Sequence, residues 1–235
     1  MIKLHRTLMP ALLLGAIAGL LPLAGISAQE AAARPPAATL QSPASPTKAP
    51  DADGFIQRWL ILEPIRRPGS LADSAVQAAV QTEYFPGQFT VLPRDGDRVT
   101  VGDSALIWHA VDTRLYNVNL YHFAYALNKP TSNVLFWAVT VVNAPGDIPG
   151  VRLAICSNAA SVWWLNGEEV IGIYNDRQAT IDDGVSKRLT LKEGPNIIRA
   201  AIINGGGATD FCARFIDEQG NPVKDFAVSL NADTR

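Results

Sequence analysis

Between Phe55 and Ile216 the chain alternates short apolar runs with turn residues. Runs rich in Val, Ile, Phe, Trp and Tyr, bounded by Gly, Pro, Asn and Asp, read as β-strands. The pattern predicts strands over 55–62, 105–109, 120–127, 135–142, 151–155, 161–165, 168–173, 188–191, 197–203 and 211–216. Several alternate with period two. Val151, Leu153 and Ile155 share one face, with Arg152 and Ala154 opposite. Tyr121, Phe123, Tyr125 and Leu127 likewise oppose His122, Ala124 and Ala126. One dry face and one wet face suit antiparallel sheets. One short helix is predicted over 71–81, with Ser70 as cap and Asp73 three residues on. Asn166-Gly167, between two strand runs, predicts a two-residue hairpin, because both positions tolerate positive φ. Many strands, tight turns and little helix make an all-β fold, an antiparallel β-sandwich of jelly-roll type.

Composition narrows the function classes. Of 235 residues, 48% are hydrophobic and 18% charged, enough for one substantial core. Twenty basic residues face 22 acidic ones, so there is no basic excess for tracking phosphates, and no nucleic-acid partner is expected. Lys3, His5 and Arg6 precede an apolar stretch over 8–24, then Gly25-Ile26-Ser27-Ala28. This layout predicts a signal peptide, 1–28, cleaved near Ala28. The rival is a membrane anchor, with an apolar run of about 17 residues, the lower limit for a span, broken by Pro10 and Pro22. Processing leaves 18 basic and 22 acidic residues, net −4, and no later stretch long enough to span a membrane. The expected location is periplasmic or secreted. Residues 29–53 hold eight Ala and five Pro and read as a linker, with the β-sandwich domain over 54–235.

Several segments then match one family in order. Phe55-Ile56-Gln57-Arg58-Trp59 resembles an opening strand with Phe and Trp, and Tyr125-Ala126 a strand with a Tyr-Ala pair. Val162-Trp163-Trp164-Leu165-Asn166-Gly167-Glu168 resembles a "vkVWLNGe" hairpin. Leu191-Lys192-Glu193-Gly194-Pro195-Asn196 resembles "LkkGwN", and Arg214-Phe215-Ile216-Asp217 a closing "R-x-x-D" strand. Over residues 55–223 the chain resembles the galactose-binding-like jelly-roll accessory domains of bacterial secreted carbohydrate-active enzymes, the acetylxylan-esterase-associated type. The resemblance implies a β-sandwich and glycan as the leading ligand class. Related calcium-dependent lectins of the anthrax-protective-antigen type hold their ion on paired Asp residues. Here Asn158 and Ala159 stand in that loop.

The family pattern puts Trp164 in the core and turns Trp163 outward, as a flat face for a sugar ring. The alternative packs Trp163 under the 84–88 segment or at a partner interface. Tyr174, Asn175, Asp176 and Arg177 follow the hairpin and complete the candidate ligand-binding set, against an ordinary polar connection. Asp182-Asp183-Gly184 reads as a turn. His109 and His122 lack metal-ligand spacing, and Glu168 and Glu169 diverge as strand neighbours. No catalytic constellation, metal site or cofactor is expected. The reading is an exported non-catalytic binding module; the alternative is an envelope domain with a protein partner. Cys156 and Cys212 are the only cysteines, each on the less apolar face of its strand. In an oxidising compartment they predict a disulfide; two small buried thiols are the alternative.

Overall fold

A computed structural model describes residues 40–67, 72–158, 160–175 and 177–232. Strands β1 (Leu40–Gln41), β2 (Arg58–Leu62) and β3 (Ile65–Arg66) come first, then helix α1 (Asp73–Gln81). Strands β4 (Arg98–Val101), β5 (Ser104–Thr113) and β6 (Val118–Asn119) lead into helix α2 (Leu120–Ala126). The long β7 (Val134–Ala144) and β8 (Ile148–Ser157) follow, then the pair β9 (Ala160–Leu165) and β10 (Glu168–Ile173). The chain closes with β11 (Gly184–Val185), β12 (Leu189–Leu191), β13 (Gly194–Asn204), β14 (Asp210–Ile216), β15 (Pro222–Val223) and β16 (Ala227–Ser229).

Every described pairing is antiparallel. One sheet runs β1-β5-β2-β7-β13-β9-β10, with β3 and β16 attached to β7 and β4 to β5. The other runs β11-β8-β14-β15, with β12 on β8 and β6 on β14. The result is the all-β sandwich that the alternation predicts. Its spine is β7, paired with β13 in unbroken register from Gly194↔Ala144 to Asn204↔Val134. Both faces of β7 are covered, so its sequence is almost wholly apolar rather than alternating. Phe136 and Ala138 point between the sheets, beside Trp59, Trp163 and Phe211. Leu135, Trp137 and Val139 point the other way, beneath Val76 and Val80 of α1 and Phe85.

Three expectations change. The 120–127 segment begins as helix, not strand. Leu120, Phe123 and Ala124 are buried at i, i+3 and i+4, and the Asn119 side chain caps the helix by accepting from His122 N at 2.7 Å. The described chain therefore has two helices. α1 has Ala72 at its cap position with no side-chain bond; the expected cap, Ser70, lies outside the described residues, as do 1–39. The domain also begins upstream of residue 54. β1 pairs with Asp112 and Thr113, Lys48 bridges Val228, and Ser45 O accepts from Arg58 at 2.8 Å. Pro-rich composition hides this, because the segment docks through a few backbone groups rather than a core of its own.

The disulfide Cys156–Cys212 joins β8 and β14, where the two residues are register partners 4.9 Å apart at Cα, within the usual span of about 4.4–6.8 Å. It lies on the outer face of the smaller sheet, under Phe55 and Ala179. The strand parity that predicts the bond is the parity observed.

Candidate functional site

The β9–β10 hairpin closes at Asn166 and Gly167, with φ of 52° and 87°. That turn fixes the cross-strand partners Leu165↔Glu168 and Trp164↔Glu169. On its other side β9 pairs with β13, Trp164↔Arg199 and Trp163↔Ala200. Alternation then decides which tryptophan is inside. Trp163 is completely buried between the sheets, edge-on to Trp59 at 6.1 Å and Phe211 at 5.6 Å. Its Nε1 donates to Ser161 Oγ at 3.0 Å. The expectation of an outward Trp163 is therefore corrected. Ala200 leaves space beside it for the indole, and the Ser161 hydroxyl satisfies its buried N–H.

Trp164 takes the outer face instead. It is half-buried, stacked on Trp137 at 5.6 Å and 24°, with Phe89 edge-on at 6.5 Å. Across the strand, Glu169 is exposed. The register shifts between Glu169 and Ile171, and pairing resumes through Gly172 and Ile173. Tyr174 lies against that glycine: a Cβ there would sit 2.7 Å from Tyr174 Cζ. The Tyr174 hydroxyl donates to Glu169 Oε1 at 3.2 Å. Burial pushes the Tyr174 phenol pKa up, helped by the Glu169 charge and that hydrogen bond. The outer edge of the large sheet thus presents an indole, a carboxylate and a phenol in sequence.

Beside Trp164, on β13, lies Arg199, 5% exposed, whose Nη2 donates to Val91 O at 2.7 Å. Burial lowers its pKa to about 10. Its bond ties down the 82–92 segment, which carries Phe89.

The other predicted site residues divide. Asn175 is exposed beside Tyr174, and Asp176 lies outside the described residues. Arg177 is ion-paired with Asp183, and Asp182, at φ 58°, with Arg214. The Asp-Asp-Gly turn therefore has its charges matched by arginines. Asn158 spends its amide on backbone. Its Oδ1 accepts from Asp210 N and its Nδ2 donates to Ala208 O, both at 2.7 Å. Burial raises the Asp210 pKa, partly offset by the Asn117 amide. Among the described residues no group of three His, Cys, Asp or Glu is placed to hold a metal, and no helix is long and apolar enough to cross a membrane. Glu168 pairs with Lys187.

A second aromatic surface escapes the sequence pattern. Tyr121 and Tyr125 stack on successive turns of α2, centroids 6.3 Å apart and planes at 10°, with Tyr125 53% exposed. Read as a strand, they share a face with Phe123; as a helix, Phe123 turns into the core. The signal that finds them is Asn119 standing before an i, i+3, i+4 apolar set.

No family model matches the sequence, and no curated protein matches it. Solved structures are similar in layout. The PA14 sugar-binding domain from an RTX adhesin is 12% identical with a TM-score of 0.43, over 74% of this chain and 99% of that one. The PA14 domain of the MpAFP antifreeze protein is 14% identical with a TM-score of 0.45, over 83% and 98%. A β-glucosidase from Kluyveromyces marxianus in complex with glucose is 18% identical with a TM-score of 0.35, over 67% of this chain and 15% of that one. The sandwich assignment rests on the strand pairing itself.

Proposed function

We propose that the chain is an exported, non-catalytic binding module of the galactose-binding-like kind, and that its ligand is a glycan held on the Trp164–Glu169–Tyr174 face. One observation carries the reading: a half-buried indole fixed parallel to Trp137, with a carboxylate opposite it and a phenol bonded to that carboxylate. A pyranose has an apolar C–H face and a rim of hydroxyls. The indole offers a flat apolar surface, and Glu169 Oε2, Tyr174 and the Asn175 amide offer acceptors and donors. Glu169 is oriented before the ligand arrives, which reduces the ordering cost of binding. Export rests on the layout of residues 1–28, and the disulfide fits an oxidising compartment.

The test is a glycan array with protein beginning at Gln29, followed by titration of the best ligand. Trp164→Ala is expected to weaken binding at least about ten-fold, or ~1.4 kcal/mol, with the fold intact. Trp163→Phe, at a buried position, is expected to leave affinity unchanged. Equal affinity of wild type and Trp164→Ala for an array ligand overturns the reading.

The second reading, a protein partner in the envelope, is favoured by the Tyr121–Tyr125 stack. Exposed Tyr116 and Leu115, at 41% and 46%, lie just before it in the chain. Tyrosine-rich exposed surface suits protein contacts. Loss of a co-purifying partner on Tyr125→Ser, with no array signal, would select it.

A further inference from the structure

At the other end of the large sheet, where β3 and the β4–β5 hairpin meet the chain after α2, lies a cavity of about 390 Å³. That is within the range of small-molecule sites, about 300–1,000 Å³. It is lined by Pro64, Arg66, Val101, Ser104, Lys129 and Pro130, among others. In the sheet order β5-β2-β7-β13-β9, three strands separate β5 from the strand carrying Trp164, so this cavity is distinct from that face.

Its charges do not balance. Glu63 is 4% exposed, and its Oε2 lies 2.9 Å from Lys129 Nζ and accepts from Ile107 N at 3.2 Å. Its Oε1 lies 3.5 Å from His109 Nε2. A buried carboxylate needs such a partner, and the pairing holds the Lys129 ammonium at the cavity wall. Arg66 is the second cation on the wall. Among the described residues no carboxylate or other acceptor pairs with it. Glu63 offsets Lys129, so Arg66 gives the wall a positive charge that no described carboxylate pairs. Ser104 adds a hydroxyl, and the two prolines and Val101 add apolar surface.

We infer that this cavity binds a small organic anion, its charged group held by Arg66 and Lys129 and its ring or chain resting on Pro64 and Pro130. Arg66 presents a planar fork matched to a carboxylate. Lys129 serves as a point charge whose position is set by Glu63. A neutral sugar of the same size leaves Arg66 without its counter-charge. The site does not depend on the glycan reading of the Trp164 face.

The experiment is calorimetric titration of protein beginning at Gln29 with sodium glucuronate, glucose 6-sulfate and glucose. Saturable binding of at least one acid, at least ten-fold tighter than glucose and weakened several-fold between low and physiological salt, is the expected result. The glucuronate and sulfate arms distinguish a carboxylate from a sulfate ester. Arg66→Ala, at an exposed position, should cut acid affinity at least ten-fold without moving the melting temperature, and Arg66→Glu should abolish it. Trp164→Ala should leave it unchanged, which separates this site from the other face. The inference is overturned by glucose binding as tightly as either acid. It is also overturned if Arg66→Ala leaves acid affinity intact, or if neither acid saturates by about 20 mM, weaker than any useful millimolar site.

Discussion

Replacing Arg199 with methionine should stabilise this protein. The residue sits on the outer face of β13, opposite Trp164 and Val139, beneath the 82–92 segment. Its guanidinium makes one described hydrogen bond, to Val91 O, and Nη1 is buried without a partner. Burial lowers its pKa from the ordinary arginine range to about 10. At about 1.4 kcal/mol per pKa unit, holding the charge in the folded state costs about 3 kcal/mol as an upper value. The folded pKa lies below the unfolded one, so the cost is complete at every pH below about 10. It fades only as pH rises from there towards the ordinary arginine range. Methionine keeps the length and apolar stem and removes the charge, while Val91 O loses its donor, worth about 1 kcal/mol. The net expectation is a gain of about 1–2 kcal/mol, or roughly 3–6 °C in Tm for a domain of this size. Urea titration at pH 5, 7 and 9 should give the same gain at each. Destabilisation by more than 1 kcal/mol, or a gain that varies across that range, would refute the reasoning.

Other outcomes follow from the same geometry. Gly167→Val should lower stability by roughly 1–3 kcal/mol, because φ at this position is 87° with open space around the Cβ, leaving backbone strain as the sole cost; thermal melting measures it. Cys156→Ala with Cys212→Ala opens a link between residues 56 apart and should cost about 3–4 kcal/mol in denaturant titration. Asn119→Ala removes the cap of α2 and should cost about 1 kcal/mol while loosening the Tyr121–Tyr125 stack, seen as faster amide exchange at His122. N-terminal sequencing of exported protein is expected to begin at or close to Gln29.

Much of the sandwich was legible because local and long-range signals agree. In β7 and β13 the apolar runs are long, both faces are buried, and any register keeps them in a sheet. Asn166-Gly167 reports its own turn whatever surrounds it. The α2 segment is the opposite case. Both a period of two and a period of 3.6 place Tyr121 and Tyr125 on one side, so aromatic content tips the local reading to strand. Only Phe123 distinguishes them, and its destination depends on Phe136 across the core, 6.5 Å away. The docking of residues 40–53 was equally hidden, since its partners, Asp112, Thr113 and Val228, are distant in sequence.

The candidate site turned on a parity that no local pattern holds. Trp163 and Trp164 are adjacent and alike, and either could have been the inner one. The choice was made by β13, where Ala200 faces Trp163 and Arg199 faces Trp164. An inner arginine would meet Trp59 and Phe211, with no acceptor among them for a guanidinium. On the outer face the same arginine reaches Val91 O. The side that accommodates Arg199 therefore dictates the side that exposes Trp164, and with it Glu169 on the next strand and Tyr174 just after it. That makes the charged residue on β13 a determinant of where this domain can present an aromatic surface, although it is buried beside that surface and is held at an energetic cost.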